Sequence, residues 1–485
     1  MMALFVMTAS VTPLATAMDG DLLLEILLEK GIITEDELIQ IKAEGKKRKA
    51  AKTVETSKKK SVAQIGFSQE TQPSQSTEQV KKKSGVNAGY GKKGFTLATT
   101  DGVFKTKIQW RTQARYTYPE RGDPRNKDAF TDNEESTFEL RRIRLKVGGH
   151  GYRPWLKYYL EVDWQPGRDF DDDSEAASAR MIDWRIMLEK YPWAKLRIGQ
   201  WKIDYNRERV DSSGKQTMVE RSIMNRVFTI DRQIGVMLYG RVNPGTTLDA
   251  NYYLGIFSGG GRGMAKNDDD NMMYVGRLQW NVFGRELKWR QSDVKFHKKP
   301  TASISFGAYT NKGKCTRWSS GGCGNVSGFE SPKSDYTQDG RFQVSGMQVG
   351  SAFKYRGFAW QHETHWKHVK DSGNAKQFAD TNGTKGLASK TKMFGGYFQA
   401  GYFPHYLIPF VPKPLEVAFR YSHVDSNTDR GGDMRQEYTA GFNWFFAGHR
   451  NKLTLDVSHL TLEQENPSLP AYTEQRARLQ WDVSF

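Results

Sequence analysis

The sequence predicts an all-β protein, a transmembrane antiparallel β-barrel of about 16 strands with a short N-terminal helical segment ahead of it. Three observations predict it. Residues 105–485 alternate apolar and polar side chains in one stretch after another. Beyond residues 1–17 no apolar run approaches the length of a spanning helix. Connections between the alternating stretches are short and long by turns, as a barrel with tight turns at one end and loops at the other requires.

The alternation is cleanest at residues 474–485. Ala477, Leu479, Trp481, Val483 and Phe485 fall on one face, with Arg476, Arg478, Gln480, Asp482 and Ser484 on the other. A strand turns successive side chains to opposite sides, so this segment has an oily face for lipid and a wet, basic face for a water-filled lumen. An aromatic residue directly after the last strand resembles the signal read by the assembly machinery of bacterial outer-membrane barrels, which makes Phe485 its point of contact. Only 37% of the residues are hydrophobic, which suits a barrel, because lipid sees every second residue of each strand.

Along the chain, residues 1–17 read as an exported leader, with Ala15-Thr16-Ala17 in the small-x-small form of a signal-peptidase site. Residues 18–45 carry Leu22, Leu23, Ile26 and Leu27 at helical spacing. A capping box from Thr34 to Glu37 then opens a second short helix. Two such helices are too small to stand alone, so an oligomerisation element or a loosely ordered leader is expected. Residues 46–104, rich in Lys, Ser, Gln and Gly, read as a disordered basic linker. The barrel occupies 105–485.

The first barrel strand sets Ile108, Trp110, Thr112, Ala114 and Tyr116 against Lys105, Lys107, Gln109, Arg111, Gln113 and Arg115. The second sets Ile143, Leu145 and Val147 against Arg142, Arg144 and Lys146; Phe138 and Leu140 are out of phase with it, which predicts a bulge near Arg141. Further strands are expected around 156–164, 180–190, 194–201, 233–241, 247–257, 273–283, 301–310, 343–355, 358–367, 392–402, 415–423, 437–446 and 452–462, before the terminal one.

The formal net charge is +17, of which the first 104 residues hold only +3. The excess therefore belongs to the folded part, which argues against nucleic acid as a partner. Closure would bring Arg476 and Arg478 beside Lys105, Lys107, Arg111 and Arg115, with Arg142, Arg144 and Lys146 on the next strand. Only Glu474, Asp482 and Glu139 are expected as inward acids between them. Such a wall concentrates small, phosphate-like anions and repels cations. Glu161, Asp163, Asp183, Asp249 and Glu363 face inward elsewhere and partly balance it. The loop from Lys202 to Arg232 carries Ile203, Tyr205, Met218, Ile223, Met224, Val227 and Phe228, which a loop in open solvent does not need. Folded into the lumen, it would offer Arg207, Arg209, Lys215, Arg221 and Arg226 at a constriction.

Cys315 and Cys323 fit a disulfide closing a surface loop, the alternative being two unpaired thiols. No metal site is expected, since His362, His365 and His368 lie on or beside one strand at a spacing suited to a helix. No cofactor and no turnover chemistry are expected either, because no nucleophile and base pair emerges.

Four segments carry a family resemblance: Phe138-Glu139-Leu140-Arg141-Arg142-Ile143-Arg144, Arg197-Ile198-Gly199-Gln200-Trp201-Lys202, Glu220-Arg221-Ser222 and Asp231-Arg232-Gln233-Ile234-Gly235-Val236. In order and spacing the sequence resembles the phosphate- and pyrophosphate-selective porins of the O/P type over roughly residues 138–485. The resemblance implies a homotrimer of sixteen-stranded barrels in the outer membrane of a Gram-negative bacterium, with the loop after the fifth strand narrowing the pore. The function expected is a passive, anion-preferring diffusion channel. The alternatives are a weakly selective general porin and a structural tether between outer membrane and cell wall.

Overall fold

The computed structural model describes residues 85–91, 94–119, 130, 136–164, 179–263, 267, 270–326, 342–371 and 390–485. The leader at 1–17, the helical element at 18–45 and most of the linker lie outside the described residues.

A hairpin of β1 (Val86–Gly91) and β2 (Gly94–Thr99) comes first. The barrel follows with β3 (Lys105–Tyr118), β4 (Thr137–His150), β5 (Leu156–Asp163), β6 (Arg180–Tyr191), β7 (Ala194–Lys202), β8 (Arg232–Val242), β9 (Ala250–Phe257), β10 (Met273–Trp280) and β11 (Thr301–Gly313). The short β12 (Arg317–Ser319) and β13 (Gly322–Gly324) pair only with each other. The wall resumes with β14 (Phe342–Tyr355), β15 (Phe358–Asp371), β16 (Lys390–Tyr402), β17 (Leu415–Asp425), β18 (Met434–Phe445), β19 (Asn451–Leu462) and β20 (Tyr472–Ser484). Every neighbouring pair is antiparallel. β20 returns to β3, from Ala477 opposite Tyr118 to Ser484 opposite Arg111, so that 16 strands close into a barrel.

Closure satisfies the backbone groups that lipid cannot, and the sequence alternation sorts the side chains. On β20, Leu479 and Trp481 are 40% and 50% exposed on the outer surface, whereas Arg478, Gln480 and Asp482 are almost completely buried inside. The register of β3 on β4 slips between Gln113 and Ala114, so Arg142 lies opposite Gln113 and Leu140 opposite Ala114. Arg141 is the extra residue of the bulge expected there.

The seam differs from expectation in one respect. Residues 86–99, read as linker, form a hairpin whose β2 runs beside the start of β3, from Phe95 opposite Ile108 to Ala98 opposite Lys105. Lys105 and Lys107 thus neighbour β2 and not the terminal strand. The exchange falls at Phe485, whose N–H donates to the Trp110 carbonyl (2.9 Å) and whose carbonyl accepts from the Trp110 N–H (3.3 Å). The physical reason is that β3 extends beyond the end of β20, and its bare edge takes the nearest strand available. Gly94 makes the turn possible. It has φ +82°, and a Cβ there would come within 2.2 Å of the Ile108 carbonyl oxygen.

Connections at the end holding Lys105 and Phe485 are mostly tight, such as Pro192-Trp193 and Arg356-Gly357, with 281–300 and 403–414 the longer exceptions; most of the long ones lie at the other end. Tight turns mark the periplasmic end and long loops the outer one.

Candidate functional site

The segment between β7 and β8, residues 203–231, folds into the bore. It contains the helical turns α1 (Arg207–Val210) and α2 (Ile223–Phe228). Ile203, Tyr205, Met218, Ile223, Met224, Val227 and Phe228 are each 5% exposed or less. Each such side chain contributes about 1.5–3 kcal/mol when buried, enough to hold the loop on the wall. The wall makes room with small residues: a Cβ on Gly395 would stand 2.6 Å from the Phe228 ring. Polar anchors fix the register. The Asp456 carboxylate accepts from the Val219 N–H (2.8 Å), Glu437 from the Ile223 N–H (3.2 Å), and Glu363 from the N–H groups of Arg207 and Glu208.

The five cations expected on this loop have different surroundings. Arg209 is paired with Asp231. Arg221 donates to the Glu208 carbonyl (2.9 Å) and the Asp211 carbonyl (2.6 Å), which ties the loop to itself. Arg207 donates to the Lys288 carbonyl and lies over the Trp289 ring, 5.7 Å from its centroid. Among the described residues, the side chains of Lys215 and Arg226 form no ion pair. Burial, and after it Arg290, pushes the Lys215 ammonium down to about 8.

The nine cations expected on the wall fall into two tiers. Arg111, Arg115, Arg142, Arg144, Arg476 and Arg478 are buried behind the loop. They meet more acid than the strands alone supply, because the loop brings its own. Oε1 of Glu220 lies 2.8 Å from Arg115, 3.1 Å from Arg141 and 3.3 Å from Arg142. Arg144 bridges Glu161 (3.1 Å) and Asp163 (2.7 Å), Arg478 pairs with Asp456 (2.8 Å), and Arg476 pairs with Glu474 (2.6 Å). Arg111 instead donates to the hydroxyls of Ser212 and Ser213, both at 2.9 Å. The expectation that Glu474, Asp482 and Glu139 are the only acids among these cations is therefore corrected. Within the upper tier, Arg115 and Arg142 hold the loop through Glu220 and Arg111 holds it through the two serines, whereas Arg144, Arg476 and Arg478 are compensated by acids of the wall itself.

The lower tier lies toward the periplasmic end. Lys105, Lys107 and Lys146 line an open cavity of about 370 Å³ together with Lys157 and Arg185. Lys146 is 3.8 Å from Glu161, Lys157 is 2.5 Å from Glu189, and Arg185 is 3.1 Å from Asp183. The vestibule thus presents five cations to open space, three of them beside a carboxylate.

Arg141, Glu220, Lys157 and Arg185 join the site without having been expected there from the sequence. Arg141 was recoverable, since a bulge turns two successive residues inward. Glu220 was not, because its partners are about eighty to a hundred residues away in the chain. The disulfide between Cys315 and Cys323 is present and closes the β12–β13 hairpin, but that hairpin is not the surface loop expected, because Cys315 and Trp318 are buried against the cluster that holds Tyr205 and Phe228. The histidines do not converge: His365 points inward, fully buried between the rings of Tyr205 and Phe228, whereas His362 and His368 lie on the opposite face of β15. Among the described residues, no group of three or more His, Cys, Asp or Glu side chains is placed to hold a metal.

A closed antiparallel barrel with an oily exterior, a charged interior and a loop folded across its bore defines a porin-type channel of the Gram-negative outer membrane. The family model for phosphate-selective porins O and P matches residues 111–485, and the chain belongs to that family. It is similar to an uncharacterized protein of Aquifex aeolicus (strain VF5), with 23% identity over 366 residues that span 68% of this chain and 78% of the relative. Among solved structures, it is similar to the anion-selective porin from Comamonas acidovorans, with a TM-score of 0.48 and 12% identity over 78% of this chain and 99% of that one. It is also similar to the outer-membrane channel DcaP of Acinetobacter baumannii, with a TM-score of 0.48 and 11% identity over 79% of this chain and 97% of that one.

Proposed function

We propose that this porin is a passive, anion-preferring diffusion channel for small phosphate-like oxyanions, assembled as a homotrimer. The observation that carries the reading is the vestibule beside β3–β6, where Lys105, Lys107, Lys146, Lys157 and Arg185 surround open space. Above it, Arg111 is buried behind the loop with hydroxyl partners and no ion pair among the described residues, and its charge adds to the positive field of the bore. No single site is required to bind tightly, and fast passage needs that. Lipid meets the apolar outer face, and Phe485 serves as the recognition end for barrel assembly.

A weakly selective general porin is the second reading. It is favoured by the compensated pairs of Arg144, Arg476 and Arg478. Reversal potentials across planar bilayers in a KCl gradient separate the two. Anion preference, with chloride current reduced by added phosphate, is the expected result. A reversal potential near zero selects the general porin, and cation preference overturns the charge argument altogether.

A further inference from the structure

A second segment enters the bore from the opposite end. Residues 281–300, joining β10 to β11, stand among the tight turns of the periplasmic end, yet Leu287, Gln291, Ser292 and Asp293 are each 5% exposed or less. A turn in open water has no reason to bury glutamine, serine and aspartate side chains. These have partners on two sides.

Toward the lumen loop, Gln291 Nε2 donates to Gln216 Oε1 (2.7 Å), its Oε1 accepts from the Thr217 N–H (2.6 Å), and Arg290 pairs with Asp211. Trp289 lies between two guanidinium groups, 4.6 Å from Arg277 on β10 and 5.7 Å from Arg207 on the loop. Toward the wall, the Ser292 hydroxyl donates to Glu416 on β17 (2.9 Å), the Lys354 ammonium on β14 donates to the Ser292 carbonyl (2.9 Å), and Asp293 accepts from the Gly357 N–H (2.9 Å). The segment thus spans from β10 to β17 on one side of the barrel. The open vestibule lies on the other side, against β3–β6, and none of residues 281–300 lines it.

We propose that residues 281–300 are a second constriction element, which docks under the lumen loop and confines passage to the β3–β6 side of the bore. The inference rests on the channel reading and adds a determinant of pore size to it. Because the segment fills one side with groups already paired, the passing solute meets the lysine-lined side instead. The size limit is then set jointly by two segments entering from opposite ends.

Two variants of the full chain test this in planar bilayers and in liposome swelling with sugars of increasing size. The first replaces residues 285–298 with Asn-Gly. The second keeps the length and carries Trp289→Ala with Arg290→Glu, which removes the stacked ring and sets a carboxylate against Asp211. Single-channel conductance about twofold or more above wild type, with larger sugars admitted, is expected for both. The second variant gives a readout even if the first fails to assemble. Wild-type conductance and size limit in the folded second variant overturn the proposed constriction and leave the channel reading intact. A wild-type protein that conducts nothing overturns both.

Discussion

Glu220 offers the sharpest test of how charge is set in the bore. Its carboxylate and that of Glu139 face Arg115, Arg141 and Arg142, so among the described residues the cluster carries a net +1, and Glu220→Gln raises the local charge by one unit. The substitution keeps an oxygen that accepts from Arg115. An ion passing about 7 Å away through water feels the added unit charge as roughly 0.6 kcal/mol. That is about threefold in favour of an anion and about threefold against a cation, or roughly sevenfold in their permeability ratio at low salt. Screening shrinks the effect above ~0.1 M. The assay is the reversal potential in a dilute KCl gradient, with heat modifiability of the barrel on gels as the control for folding. A shift toward the anion equilibrium potential is expected. An unchanged potential in a folded variant would refute the claim that ions sense this cluster. A potential that moves the other way would show that the loop had rearranged.

Two further outcomes follow from the same geometry. The Lys215 ammonium, held down at about 8, is charged below that pH and neutral above it, so anion preference should fall as pH rises through about 8. In Lys215→Gln the drop should be smaller than in the wild type, and selectivity measured at pH 6.5, 8 and 9.5 decides it. Gly395→Val would drive a side chain into the Phe228 ring (2.6 Å) and toward the His423 carbonyl (2.9 Å), overpacking the loop against its wall at about 1–3 kcal/mol. Larger and noisier single-channel currents are expected, with the barrel still folded by circular dichroism, and quiet wild-type currents would mean that α2 does not depend on this contact.

The barrel was legible because lipid and water impose a two-residue period on every strand, and no tertiary contact is needed to read it. The Arg141 bulge was legible for the same reason, as a break of phase beside Phe138 and Leu140. The lumen loop showed itself through residues such as Tyr205 and Phe228 that open water would not retain. What escaped was each feature that depends on partners far apart in the chain. Glu220 is one ordinary acid in the sequence, and it becomes the counter-charge of three arginines only when the loop crosses the bore. Residues 281–300 are polar and look like a solvated connection; their burial follows from matching amides and hydroxyls on the loop. The hairpin at 86–99 was hidden by the Lys-rich composition around it, although Phe95 and Leu97 carry a faint alternation.

The seam also implies an asymmetry in how much damage each end of the chain tolerates. The stretch of β3 covered by β2 lies at the watery rim, where solvent can take over the exposed amides if the hairpin is lost. The stretch covered by β20 runs through hydrocarbon, where each orphaned amide or carbonyl costs several kcal/mol. Trimming the first hundred residues should thus leave an intact cylinder, whereas shortening the other terminus by a few residues unzips it.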